Sequence, residues 1–175
     1  MILNNVIDTK LVLAISSLVV ISGITIITTQ TLGIKFATTM SGNQVTPPTD
    51  TNVNGTASFR TTTYDTLIKY KIKIAGSSDV TSADIHMGKN GENGEAVVDL
   101  LKDSKKNGIK NGTSIRGNFT SSDLTGPLKG KMIAELISAM SNGNTYVSID
   151  TPYHVNGEIR GQINLLGNDN STKLM

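Results

Sequence analysis

The chain has 175 residues, no cysteine, 37% apolar residues and a formal net charge of +2. This length fits one domain, or one domain with an appendage, and the missing cysteines exclude disulfides, thiolate metal sites and a cysteine nucleophile. The near balance of charge and the absence of tryptophan argue against a nucleic-acid-binding protein, which usually has a basic surface and aromatic stacking platforms. Charged residues make up only 17%, and Asn, Ser, Thr and Gly replace them, which is typical of a β-rich chain with many turns.

Residues 1–34 are predicted to lie outside the folded domain. No charged residue occurs between Lys10 and Lys35, and a helix of this length would span about 36 Å, enough to cross a hydrocarbon core of about 30 Å. The uncharged stretch is longer than the apolar region of a signal peptide, about 7–15 residues, and no small-x-small cleavage site follows it. We interpret residues 11–34 as an uncleaved membrane helix with the domain facing outside the cell. Secretion after cleavage of a signal peptide is the alternative.

Four Asn-x-Ser/Thr sequons are compatible with a glycosylated surface outside the cell. Several such triplets arise by chance in a chain rich in Asn and Thr, so they give export only weak support. The candidate acceptors are Asn54, Asn111, Asn118 and Asn170.

Residues 35–166 form the predicted domain, and residues 167–175 form a polar tail. The clearest strand is 67–75, in which apolar side chains alternate with three lysines, so that one face is buried and the other is wet. Seven or eight such strands, separated by turn signals about every 8–12 residues, predict an antiparallel Greek-key β-sandwich or barrel. The strands are predicted near residues 36–40, 55–60, 67–75, 80–87, 95–101, 113–119, 146–151 and 157–166.

One segment has a helical period instead. Ile133, Leu136, Ile137 and Met140 are spaced as the apolar stripe of a short amphipathic helix, and Gly143 follows where a C-terminal glycine is expected. We predict that this helix covers an open end or face of the sheets.

Several short motifs follow one another along the domain. They are residues 36–44 with Pro47-Pro48, residues 80–88 and 93–100, residues 122–130, residues 144–151, and the Gly-Glu-Ile-Arg-Gly-Gln-Ile sequence of residues 157–163. In this order and spacing they resemble the CHRD (chordin) domain family over about residues 35–166, and the last motif is the most specific. The resemblance implies an extracytoplasmic β-sandwich similar in its motifs to the Cu/Zn superoxide dismutase-like fold. Single-domain microbial members are the closer comparison.

The same resemblance points to a candidate metal site. The family often has His-x-His where this chain has Asp84-Ile-His86, and a histidine where it has Asp150. Residues two apart on a strand point to one side, so Asp84 and His86 share a face and would meet Asp150 if its strand were adjacent. With His154 as a further ligand, these groups would suit a divalent cation but not a redox copper site rich in imidazole. The alternative is that they are solvated or hydrogen-bonded polar residues on a wet sheet face.

Glu158 and Arg160 also share one face of the last strand. They either bind a ligand or partner, or they form hydrogen bonds to loops and brace the end of the barrel. Gly161 faces the apolar side, which predicts a close approach of another backbone at that point.

No catalytic triad and no phosphate-binding glycine motif occurs in the sequence, so we expect no catalysis. The predicted function is a membrane-tethered binding or structural module at the cell surface. Its partner would be a protein, a glycan or a matrix component. Divalent metal binding is the alternative function, and a divalent ion is the sole cofactor that the sequence suggests.

Overall fold

The computed structural model describes residues 14–21, 24–31, 33–62, 65–76, 79–102 and 114–166. Two strands occupy the N-terminal segment, and nine strands with one α-helix, α1 (Ile133–Ser141), form the domain. The strands in chain order are β1 (Ala14–Ile21), β2 (Ile24–Thr31), β3 (Lys35–Ser41), β4 (Asn54–Thr61), β5 (Ile68–Ala75), β6 (Ser82–Met87), β7 (Ala96–Asp99), β8 (Ser114–Phe119), β9 (Thr145–Asp150), β10 (Ile159–Gln162) and β11 (Asn164–Leu165).

The domain is a single antiparallel sheet that curls into a nearly closed barrel. Its strand order is β7-β6-β9-β10-β3-β4-β5-β8, with β11 beside β3. The Tyr70 hydroxyl on β5, the strand next to the β8 end, donates a 2.7 Å hydrogen bond to the carbonyl of Leu100, which follows β7 at the other end of the sheet. The predicted all-β antiparallel fold is therefore confirmed.

The barrel interior is filled by the alternating apolar residues of the strands. On β5, Ile68 and Ile72 are completely buried, whereas Lys69, which lies between them, and Lys73, which follows Ile72, are exposed. Each fully buried side chain of this size contributes about 1.5–3 kcal/mol relative to exposure. The predicted buried and wet faces of this strand are confirmed.

The predicted helix is confirmed as α1. Its four apolar-stripe residues belong to the same hydrophobic cluster as the strands, so the helix completes the core. Gly143 just beyond it has a φ of 66°, a left-handed conformation that glycine adopts without strain.

The last predicted strand, 157–166, is divided into β10 and β11. β10 pairs with both β9 and β3, and the Ile163 amide beyond it still donates a 3.0 Å hydrogen bond to the carbonyl of Thr145 at the start of β9. β11 then pairs with β3. At Gly161 a Cβ atom would lie 2.3 Å from the Thr39 carbonyl oxygen, which confirms the predicted close approach of another backbone.

The N-terminal segment differs from its prediction. The structure has β1 and β2 paired antiparallel where the sequence predicted a membrane-spanning helix. All residues of β2 except Gln30 are β-branched, and β-branched residues favour an extended backbone. The lack of charged residues, which suggested a membrane helix, does not distinguish a helix from a strand. No helix in the described part of the chain is both long and apolar enough to cross a membrane. The predicted tail, 167–175, lies outside the described residues.

The buried face of β5 gives a stability prediction. Replacing Ile72 by Ala should lower the free energy of unfolding by about 2–5 kcal/mol, because it removes buried methyl groups and leaves a cavity. Replacing the neighbouring Lys71 by Ala, on the outer face, should change it by no more than about 0.5 kcal/mol. Urea denaturation measures both, and equal losses at the two positions would contradict the assignment of faces.

Candidate functional site

The outward face of β6 and β9 carries three of the four predicted metal ligands. Asp84 and His86 lie on β6 opposite Ser148 and Tyr146 of β9, and Asp150 lies two residues beyond Ser148 on the same face. The sheet thus places the three residues on one face of adjacent strands, as the sequence analysis required.

His86 is held in place by an aromatic contact and a hydrogen bond. Its ring stacks on Tyr146 with centroids 5.1 Å apart and 13° between the planes, and its Nδ1 lies 2.9 Å from the Gly94 carbonyl oxygen. On the other side of β9, the guanidinium of Arg160 on β10 lies 3.5 Å from the centroid of the same tyrosine ring. His86, Tyr146 and Arg160 therefore form one continuous stack across three strands.

Arg160 fastens the β6–β7 loop, residues 88–95, to the outside of the barrel. Its side chain is 2% exposed and donates hydrogen bonds to Asn93 Oδ1 (3.1 Å) and to the carbonyl oxygens of Lys89 (2.9 Å) and Glu92 (2.8 Å). Because these groups belong to the chain itself, they are the hydrogen bonds that the bracing alternative for Arg160 predicts, and a role in binding a partner stays a prediction.

Glu158, which directly precedes β10, is also hydrogen-bonded to groups of the chain itself. Its carboxylate accepts hydrogen bonds from the hydroxyls of Thr51 and Thr151 and contacts Nδ1 of His154 at 2.5 Å. Burial alone would raise the pKa of Glu158, but the bonds from Thr51, His154 and Thr151 together outweigh it and hold the pKa below its usual value. Glu158 thus also braces the fold, and it engages His154, the fourth predicted metal ligand.

The metal site stays a prediction. Within the described ranges, no three His, Asp or Glu side chains are grouped closely enough to hold a metal ion. Burial raises the pKa of Asp150, and the neighbouring Asp84 carboxyl adds to this rise, although a hydrogen bond from Ser148 opposes it. Asp84 and Asp150 are therefore near enough to repel each other.

A second surface, which the sequence analysis did not identify as a site, lies on the other half of the barrel. We call the outer face of β3, β4, β5 and β8 the basic face. At its outward positions these four strands have no Asp or Glu. It carries six cationic side chains, which are Lys35, Arg60, Lys69, Lys71, Lys73 and Arg116.

The register of the strands brings these cations together in rows. Lys35 pairs with Arg60, which pairs with Lys69, and in the next row Lys71 pairs with Arg116. The charges of Arg116 and then Lys73 lower the pKa of Lys71, with a smaller contribution from burial. In the described part of the chain, none of these six side chains forms an ion pair.

The glycosylation candidates are partly on this face. Asn54 and Asn118 are exposed there, and Asn118 pairs with Lys69 across the strands. Asn111 and Asn170 lie outside the described residues. A glycan attached to Asn54 or Asn118 would lie over part of the basic face.

The fold and these two surfaces define an antiparallel β-barrel domain with one internally braced polar side. The family model of the CHRD domain matches residues 36–163, so the chain belongs to the CHRD domain family. No curated protein and no solved structure matches the chain.

The bracing role of Arg160 can be tested by a conservative change. Replacing Arg160 by Lys should lower the free energy of unfolding by roughly 1–3 kcal/mol, because a compact ammonium cannot stack flat on Tyr146 and reach three separate oxygens. The same change at exposed Arg116 should lower the free energy of unfolding by no more than about 0.5 kcal/mol. Urea denaturation of the two variants decides the matter, and a loss at Arg116 as large as at Arg160 would refute the role.

Glu158 makes stability depend on acid pH. A carboxyl with a lowered pKa in the folded state stabilises the fold above its ordinary pKa of about 4.3, and this stabilisation is lost as the pH falls through the lowered folded value. Wild type should therefore be more stable than Glu158→Gln at pH 7, and the difference should shrink as the pH falls below about 4.

The control for this prediction is Glu135→Gln, on the exposed side of α1. This variant removes the same charge, and its free energy of unfolding should stay within about 0.5 kcal/mol of the wild-type value at every pH. Denaturation curves at several pH values provide the measurement. A gap between wild type and Glu158→Gln that stays constant with pH would contradict the assignment.

Proposed function

We propose that the chain is an extracytoplasmic binding module, tethered to the membrane by its N-terminal segment, which binds a partner through the basic face. The observation that carries the proposal is the cluster of six cations at one sheet surface without an ion pair among the described residues. Like charges on facing positions of neighbouring strands destabilise a sheet. The cluster therefore opposes folding, and recognition of an anionic partner is the role that fits it.

A non-catalytic role agrees with the use of the polar residues on the other half of the barrel. Glu158 and Arg160 are buried and bonded within the chain, and His86 and His154 each contact a group of the chain. Residues used in this way hold loops on the barrel. Membership of the CHRD family supports a structural or binding module.

The tether rests on the sequence between Lys10 and Lys35, which has no charged residue. In a bilayer this segment would have to become a helix, because a two-stranded hairpin leaves backbone groups without hydrogen-bond partners in lipid. Lys35 opens β3, so a membrane helix would connect directly to the first strand of the basic face.

The tether predicts an intact N-terminus and a membrane-bound protein. N-terminal sequencing of the mature protein should find a start that precedes the uncharged segment, and the protein should remain in the membrane fraction after alkaline extraction. Protease added to intact cells should remove the domain, because it faces outward. A mature start near residues 32–38 would instead show secretion after cleavage.

A matched pair of variants separates membrane insertion from loose association. Leu18→Arg/Val19→Arg should release the protein from the membrane, because each arginine at the centre of a membrane helix costs about 2.5–3.5 kcal/mol. Leu18→Ile/Val19→Ile should remain bound. Retention of the arginine variant would refute insertion of this segment.

A further inference from the structure

We infer that the partner of the basic face is a linear polyanionic glycan, a polysaccharide that carries sulfate or phosphate groups. This inference rests on the proposed binding through that face and names the chemical class of the ligand. It depends on the spacing of the cations, on the grooves between them and on the side chains that separate them.

The cations form a regular array that fits a polymer with repeated negative charges. Lys69, Lys71 and Lys73 occupy alternate positions of β5 and point to the same side, about 6.6–6.8 Å apart along the strand. Arg60 and Arg116 flank this line on the two neighbouring strands, each about 4.8 Å away across the sheet. A single anion would engage one or two of these cations, whereas a chain of anionic groups engages several at once.

Two shallow grooves follow this array. One, of about 510 Å³, is bordered by Lys71, Lys73 and Arg116. The other, of about 310 Å³, is bordered by Lys35, Arg60, Lys69 and Lys71. Lys71 lines both, so the grooves adjoin and form one track along the face.

Beside exposed Leu166 at the smaller groove, the track also has neutral polar side chains that suit sugar hydroxyls. Asn54, Thr56 and Ser114 line the larger groove, and Ser58 lines the smaller one. Amide and hydroxyl groups both donate and accept hydrogen bonds, as a sugar ring requires. The cations would pair with the anionic substituents, while these neutral groups would bind the sugar between them.

Other anionic partners fit the basic face less well. Stacking on nucleic-acid bases uses aromatic side chains, and insertion into a lipid surface uses several large apolar ones. The outward positions of the four strands carry neither kind, and the exposed large apolar side chain that borders the smaller groove is Leu166. A flat bilayer would also leave the grooves empty. A second copy of the chain could contact the basic face through Asp84 and Asp150, on the outward face of β6 and β9. The experiment below detects such self-association.

Binding is measured with the full-length chain in zwitterionic detergent, with dextran sulfate as the probe and uncharged dextran as its control. Wild type should bind dextran sulfate and not dextran, and added salt should weaken the binding because it screens exposed charges. Lys71→Gln/Arg116→Gln, which removes the cations at the centre of the track, should weaken binding at least about tenfold.

The matched control is Lys129→Gln/Lys131→Gln, which removes two exposed cations near the start of α1. It should bind within about twofold of wild type if only the local array matters. Lys71→Arg/Arg116→Lys keeps both charges and should also retain binding. Melting curves confirm that all variants are folded, and outer-face substitutions should leave the melting temperature nearly unchanged.

Four outcomes would overturn the inference. They are failure of wild type to bind dextran sulfate, equal weakening in the control pair, equal binding of uncharged dextran, and salt-sensitive self-association in place of glycan binding.

A parallel arm uses vesicles of phosphatidylcholine with 30% phosphatidylglycerol. Wild type could bind these vesicles but not dextran sulfate, and Lys71→Gln/Arg116→Gln could lose that binding. This result would refute a glycan as the partner but would leave the basic face as the binding surface. On cells that lack the protein, Leu18→Arg/Val19→Arg, which removes the tether, is compared with the same variant that also carries Lys71→Gln/Arg116→Gln. Equal binding of the two would refute the binding face itself.

Discussion

The buried guanidinium of Arg160 is the group on which the polar side of the barrel depends. Removing a charge from water is costly unless hydrogen bonds replace its hydration, and here Asn93, Lys89 and Glu92 supply the acceptors. Burial lowers the pKa of Arg160, while Tyr146, over whose ring it lies, opposes the shift. A charge satisfied in this way fixes the β6–β7 loop at one place on the sheet, because any displacement would leave the charge buried and unpaired.

The geometry of that loop makes the arrangement possible. Gly88 has a φ of 142°, and a Cβ atom at this position would lie 2.8 Å from the Glu92 carbonyl oxygen. Gln162, next to Arg160 on the same face, donates hydrogen bonds to the carbonyl oxygens of Gly88 (3.0 Å) and Gly143 (2.7 Å), so it joins the β6–β7 loop to the turn after α1. The Gly-Glu-Ile-Arg-Gly-Gln-Ile motif thus combines outward bracing side chains with inward residues that fit the core.

The small net charge of the chain conceals a division of charge between the two halves of the barrel. The outward faces of β3, β4, β5 and β8 carry cations, whereas those of β6, β7 and β9 carry Asp84, Asp99 and Asp150. A balanced total therefore does not describe the field near the surface, which depends on where each charge lies. A small net charge is therefore compatible with a basic surface, and the absence of aromatic side chains at the outward positions of β3, β4, β5 and β8 is the stronger reason against nucleic acid as the partner.

The alternation of Ile68, Tyr70 and Ile72 with lysines determined the buried face of β5, and the period of α1 determined its apolar stripe, because each pattern is local and lies within one element. The all-β class followed from short alternating strands between regular turn signals, and the family followed from the order of the short motifs. Composition is ambiguous in the apolar segment around β1 and β2, which could form a helix or strands, and there the structure has strands where the sequence predicted a helix. Only the tertiary structure decided that Arg116 lies beside Lys71 and that Arg160 closes over Tyr146, because strand order and register bring together residues that the sequence places far apart.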